Sequence, residues 1–244
     1  VNGVVGLRLA RMVPIDGSFG ATEGGTVPRI EKQMARNAAI RLTERDLKTL
    51  RAIVEQGAAY TTTVRELLAI NAGREQIGDR AARAVIARWK KLGLVETHRV
   101  FGSDPSVVVP TVACGALTGL ATPGTVPSLT TLRHTLLAAA VRPHYARRGL
   151  EFTAERLITE TGHRPDAIVT HIASGLRGCC EIELSPKAND RLATILTDTT
   201  QRFDRVVYWA PEDIGARVLA AAETTLTTAA AGKLRIRPLP QVRP

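Results

Sequence analysis

The residues of this chain best suited to chemistry lie between Arg164 and Lys187. Asp166 follows Pro165, and Glu181, Glu183 and Lys187 come after an apolar segment and a turn. Read locally, the stretch is two short β-segments joined by a turn at Ser174-Gly175, with a helix start at Ser185-Pro186. Side chains alternate faces along a strand. Glu181 and Glu183 therefore share one face, and Ile182 and Leu184 the other. Hairpin pairing brings Asp166 beside the acidic pair, with Lys187 about one turn further on. Three carboxylates and an ammonium can thus converge at a sheet edge. Hard divalent cations such as Mg²⁺ or Mn²⁺ take oxygen ligands, and phosphodiester hydrolysis uses a metal to polarise phosphate and activate water. A lysine nearby stabilises the developing charge. The alternative for the same residues is a solvated strand face and a simple Pro-Asp turn.

Pro165-Asp166, a spacer, Glu181-x-Glu183 and Lys187 resemble the PD-(D/E)xK restriction-endonuclease-like superfamily. The usual lysine position, two residues after the acid, is Glu183 here, and the nearest lysine is Lys187. The resemblance implies that Asp166 and Glu181 ligate Mg²⁺ with the main-chain carbonyl of Ile182. It further implies that Lys187 stabilises the pentavalent phosphate and that Glu183 orients or deprotonates water. Glu155 is a further acid within reach, with simple solvation as its alternative.

The elements that must position these groups follow from the rest of the chain. Its 244 residues, 44% hydrophobic, can build one large domain or two small ones, although aromatic residues make up only 4%. The formal net charge of +10 points to nucleic acid as partner before anionic membrane. Cys114, Cys179 and Cys180 fit neither a zinc spacing nor a disulfide framework. There is no apolar run of membrane-spanning length, and Val1–Met12 lacks the features of a secretory signal. The expected location is cytoplasmic, with no membrane partner.

Residues 1–38 are glycine-rich and unpatterned, the composition of a flexible N-terminal arm. From Thr43, a capping residue, the stripe Leu47, Leu50, Ile53 and Val54 predicts a helix ended by Gly57. A second helix is expected from Thr63. A third, capped near Asp79, buries Val85, Ile86, Trp89 and Leu92 and leaves Arg80, Arg83, Arg88, Lys90 and Lys91 to solvent or DNA. Segments Glu96–Phe101 and Ser106–Val112 then form a β-hairpin. Three helices and a hairpin, with Trp89-Lys-Lys-Leu-Gly-Leu-Val95 between them, resemble a winged helix-turn-helix over residues 39–114. That resemblance implies a third helix in the major groove of double-stranded DNA. Arg80 and Arg83 would reach base edges, and Lys90, Lys91 and Arg99 phosphate. Protein interaction without DNA is the alternative for such a module.

Residues 115–130, rich in Gly, Pro and Thr, read as a linker. The part from 131 to 237 starts with a helix capped by Thr130, bearing His134 as a packing or hydrogen-bonding residue and shortened or kinked by Pro143. A short helix at Ala154–Ile158 and the acidic hairpin follow. A helix to Phe203, an inner strand Arg205–Ala210, a helix after Pro211 and a strand Leu234–Arg237 complete it, before a tail at 238–244. With an early strand around Glu151-Phe152, the order matches the αβββαβ restriction-endonuclease-like core. The expected fold class is therefore α+β or α/β, a winged helix followed by a nuclease-like domain.

The combination, with Leu132-Arg-His134, Arg164-Pro-Asp166, Glu181–Lys187 and Arg205-Val-Val-Tyr-Trp209, resembles the replication-relaxation family of bacterial plasmids and integrative elements. The resemblance covers roughly residues 40–220. It implies DNA binding in replication, relaxation or mobilisation of a mobile element, with a Mg²⁺- or Mn²⁺-dependent endonuclease or nickase as the activity. The alternatives are a non-catalytic DNA-binding factor on a degenerate nuclease fold, and a protein–protein adaptor in a replication or transfer complex. A homodimer would suit a two-fold symmetric DNA site.

Overall fold

The computed structural model describes residues 41–122 and 128–242. The expected N-terminal arm lies outside the described residues. The described chain is a mixed α+β structure with two separate sheets.

In the first part, helix α1 (Glu44–Gln56) buries Leu50, Ile53 and Val54, as its apolar spacing requires. Gly57 closes it at φ 94°, a conformation that favours glycine. A two-residue strand, β1 (Ala59–Tyr60), leads directly into α2 (Thr61–Asn71). The helix thus begins two residues before the expected Thr63, because β1 delivers the chain to its start and Tyr60 occupies the cap position. Helix α3 (Asp79–Lys91) buries Ala82, Val85, Ile86 and Trp89. Strands β2 (Val95–His98) and β3 (Val107–Pro110) form the hairpin, and β1 adds to β3, giving an antiparallel sheet of order β1-β3-β2. Both hairpin strands are shorter than expected. Val112 belongs instead to α4 (Val112–Thr118), capped by Thr111, so the expected linker is helical at its start.

In the second part, α5 (Leu129–Ala146) is capped by Ser128, whose Oγ accepts the Thr131 N–H at 3.3 Å, rather than by Thr130. It runs through Pro143 to Ala146, so the helix is not cut short at the proline. Strand β4 (Glu151–Ala154) supplies the early strand, and the expected helix at Ala154–Ile158 is only a 3₁₀ turn at Glu155–Leu157. Then come β5 (Ala167–Thr170), β6 (Arg177–Ile182), α6 (Asn189–Arg202), β7 (Arg205–Ala210), α7 (Glu212–Thr225), α8 (Thr228–Ala231) and β8 (Leu234–Pro238). The sheet order is β4-β5-β6-β7-β8, antiparallel as far as β6 and parallel from there. The run of apolar residues in β7 is explained by its inner position and two covered faces. One face packs Val141 and Tyr145 of α5 on Phe152, Val169, Cys180 and Trp209. The other packs Leu192, Leu196 and Val218 on Cys179, Val206 and Tyr208.

Helix α5 serves both parts. Leu132 and Leu136 lie in a core with Ala58, Tyr60 and Val107, whereas Leu137, Val141 and Tyr145 lie in the core of the five-stranded sheet. Polar contacts reinforce the join. Arg142 pairs with the almost buried Glu55 at 2.5 Å, and Arg147 with Glu66 at 2.7 Å. Arg156 donates to the carbonyl oxygen of Val54. The helix beyond residues 115–130 thus contributes to the core before them as well as to the core after them. Leu136 is fully buried, so Leu136→Ala should cost about 2–5 kcal/mol. Urea unfolding followed by the fluorescence of Trp89 and Trp209, one in each part, is the check.

Candidate functional site

The hairpin register puts Ala167 opposite Cys180, so Asp166, one residue before β5, faces the end of β6. There it is fixed by the main chain: Asp166 Oδ2 accepts the Ile182 N–H at 2.6 Å. Glu181 and Glu183 lie on one face, as strand alternation requires, and each is only 5% exposed. That burial overturns the solvated-face alternative for both. The Glu183 N–H donates to the Trp209 carbonyl oxygen at 3.0 Å, extending the ladder past β6. Lys187 forms an ion pair with Glu183. It sits in the loop before α6, which starts at Asn189 rather than at Ser185.

Two histidines complete the cluster. His134 of α5 points its Nε2 at the Ile182 carbonyl oxygen, 3.0 Å away, and at Asp166 Oδ2, 3.4 Å away. His163 Nε2 is 2.9 Å from Glu181 Oε1. The His163 loop is clamped to α6 by Arg202, which donates to the His163 carbonyl oxygen at 2.7 Å and pairs with Asp198 at 2.7 Å. Gly162 makes that approach possible. Its φ is 92°, and a Cβ there would meet Arg202 Nη1 and Asp198 Oδ1 at 3.0 Å. A cavity of about 260 Å³ opens beside the cluster, lined by His134, Glu155 and Asp166 and, from the first part of the chain, by Gln56 and Gly57.

The charges in the cluster adjust to one another. The hydrogen bond to Asp166 raises the His134 imidazole to about 9, against an opposing effect of burial. The bond to Glu181 likewise raises His163. Burial pushes Glu181 up, and the His163 hydrogen bond counters part of that. Glu155 is also pushed up, first by burial and then by Asp166. Tyr208, opposite Glu181 in the sheet, has a buried hydroxyl with no hydrogen-bond partner among the described residues.

By donor type, the Asp166 and Glu181 carboxylates and the Ile182 carbonyl suit a hard cation such as Mg²⁺. Their oxygens here are engaged by His134, His163 and the Ile182 N–H. Among the described residues no group of three His, Cys, Asp or Glu side chains is arranged to hold a metal. These contacts engage Asp166 Oδ2 and Glu181 Oε1, so an ion would be met by the other oxygen of each carboxylate or would displace the histidines. His163 was not legible as a partner; its only signal is its place three residues before Asp166.

The basic helix face is separate from this cluster. Arg80, Arg83, Lys90 and Lys91 are exposed on α3, opposite its buried stripe, with the exposed Ala84 and Ala87 between them. Lys90 donates to Thr97 Oγ1 of β2 at 2.7 Å, and Arg99 is exposed just beyond β2. Arg88 does not belong to this set. It turns inward and pairs with the fully buried Asp46 of α1 at 2.5 Å. It flanks the apolar stripe, and the buried carboxylate draws it in. No helix of the described residues is long and apolar enough to cross a membrane. No protein family, curated protein or solved structure matches the chain.

His134 should hold its proton well past neutrality. A raised folded-state value means that the His134–Asp166 pair stabilises fully below about pH 6.5, the unfolded value. That stabilisation is lost as pH rises through about 9. An NMR titration should find the His134 midpoint near 9, falling toward the ordinary histidine value in Asp166→Asn; an unchanged midpoint in that variant would contradict the pairing.

Proposed function

We propose that the chain is a DNA-binding protein acting in replication, relaxation or mobilisation of a plasmid or other mobile element. The observation that carries this reading is the outer face of α3. Arg80, Arg83, Lys90 and Lys91 are exposed there around small alanines, while the opposite face is anchored by Trp89 and by Arg88 on Asp46. Such a helix can approach base edges closely, because alanine leaves room and arginine reaches. Lys91 and Arg99 suit flanking phosphates. The helix order, the hairpin and the net charge of +10 support the winged-helix reading.

The acidic cluster extends the proposal to phosphodiester hydrolysis. The order α5-β4-β5-β6-α6-β7 is that expected of a restriction-endonuclease-like core. Asp166, Glu181 and the Ile182 carbonyl would hold Mg²⁺ or Mn²⁺, which when bound polarises phosphate and acidifies water. Lys187 would neutralise charge developing on the phosphate, and Glu183, buried beside it, would orient the attacking water through the hydrogen bond it accepts. Protonated His134 supplies a second cation at the same place. A specific observation favours a second reading, a non-catalytic DNA-binding platform: the carboxylates of Asp166, Glu181 and Glu183 already have cationic partners within the chain.

DNA binding is tested by fluorescence anisotropy over a range of salt concentrations. Arg80→Ala and Arg83→Ala should each weaken binding by about 1–3 kcal/mol where they reach a base edge. Lys91→Ala should lower the salt slope by about one. Asp166→Ala should leave affinity largely intact. Weak, salt-insensitive binding by the wild type would instead favour the adaptor reading.

A further inference from the structure

At the other end of β6 from the acidic cluster lies a second cavity, of about 290 Å³. Five residue steps along a strand separate Arg177 from Ile182, so the two ends of β6 are ~17 Å apart. Its walls combine the last turn of α5 with the starts of β6 and β7. Leu176 and Val207 give it an apolar side, and Leu176 is 56% exposed. Arg148 reaches it from the turn after α5, Arg205 from β7 and Arg237 from β8.

Three of the four arginines lining this cavity are uncompensated, the fourth, Arg177, being paired with Glu160. No ion pair joins Arg148, Arg205 or Arg237 to a carboxylate among the described residues, unlike Arg142, Arg147, Arg177 and Arg202. Arg237 lies over the Trp209 ring at 5.7 Å, and Arg148 donates to the His144 carbonyl oxygen at 2.5 Å. Both contacts hold a guanidinium in place without neutralising it. His144 borders the same space; burial, then Arg148 and Arg237, lower its imidazole to about 4. At neutral pH it is an uncharged hydrogen-bonding group among fixed cations.

Guanidinium groups pair with phosphate through two parallel N–H donors and stay charged at any physiological pH. Three of them without an acid match a phosphomonoester, which carries close to two negative charges. The apolar wall and the neutral imidazole suit a flat heterocycle with polar edges. The volume is near the lower end of ligand cavities. We infer that this cavity binds a nucleotide, its phosphate on Arg148, Arg205 and Arg237 and its base against Leu176 and Val207. The site is independent of the acidic cluster and of the DNA-binding helix face.

Isothermal titration calorimetry of the full chain in EDTA tests it, with deoxyadenosine monophosphate, deoxyadenosine and inorganic phosphate as probes. The monophosphate should bind saturably, and each of the other two at least tenfold more weakly. The double variant Arg148→Ala/Arg205→Ala should lose at least tenfold in affinity with an unchanged melting temperature. Arg80→Ala should bind as the wild type does. A 5′-phosphorylated trinucleotide that binds more tightly than the monophosphate would identify a DNA strand end as the source; tighter binding of the monophosphate would identify the free nucleotide. Absence of saturable monophosphate binding would overturn the inference. So would equal binding of deoxyadenosine, or undiminished binding by the double variant.

Discussion

Helix α5 is the constraint on which the described structure depends. Its Leu132 and Leu136 close the core under the small antiparallel sheet, while its Leu137, Val141 and Tyr145 close the core on the five-stranded sheet. Neither sheet has its apolar face fully covered without it. A helix buried on both sides has little freedom to slide, because interiors are packed at crystal-like density. The Arg142–Glu55 pair, nearly buried on both partners, fixes its register further. Burying such a pair is neutral at best, but breaking it would leave a stranded charge.

The same helix carries His134 to the end of β6. The imidazole reaches the Ile182 carbonyl and Asp166 only because α5 is held against the sheet. The cavity at that point is lined by Gln56 and Gly57 from the other side of the helix, where α1 ends. Packing thus places an acidic, histidine-lined site and the exposed basic face of α3 on one framework.

Much of this was legible in the sequence because it depends on local periodicity. Strand alternation alone put Glu181 and Glu183 on one face, and the turn at Ser174-Gly175 brought Asp166 across from them. The stripe Val85, Ile86 and Trp89 gave the orientation of α3. What was not legible depends on contacts between distant segments. His134 and His163 reach the cluster from a separate helix and from a loop, so no spacing rule links them to Glu181. Arg88 looked like a surface residue until Asp46, 42 positions earlier, proved to be buried beside it. The strand β1 is only two residues long and has no period to detect. The sharing of α5 between two cores was not legible because the composition of 115–130 does not say which core the next helix completes.

The proposal reaches furthest where it extends DNA binding to phosphodiester cleavage by the buried carboxylates. The most direct measurement is incubation of supercoiled plasmid with Mg²⁺, Mn²⁺ or EDTA, using the wild type and Asp166→Ala. The account predicts nicking or linearisation that needs the divalent ion and disappears in the variant. DNA binding without cleavage under every metal condition would contradict it, as would cleavage that persists in Asp166→Ala.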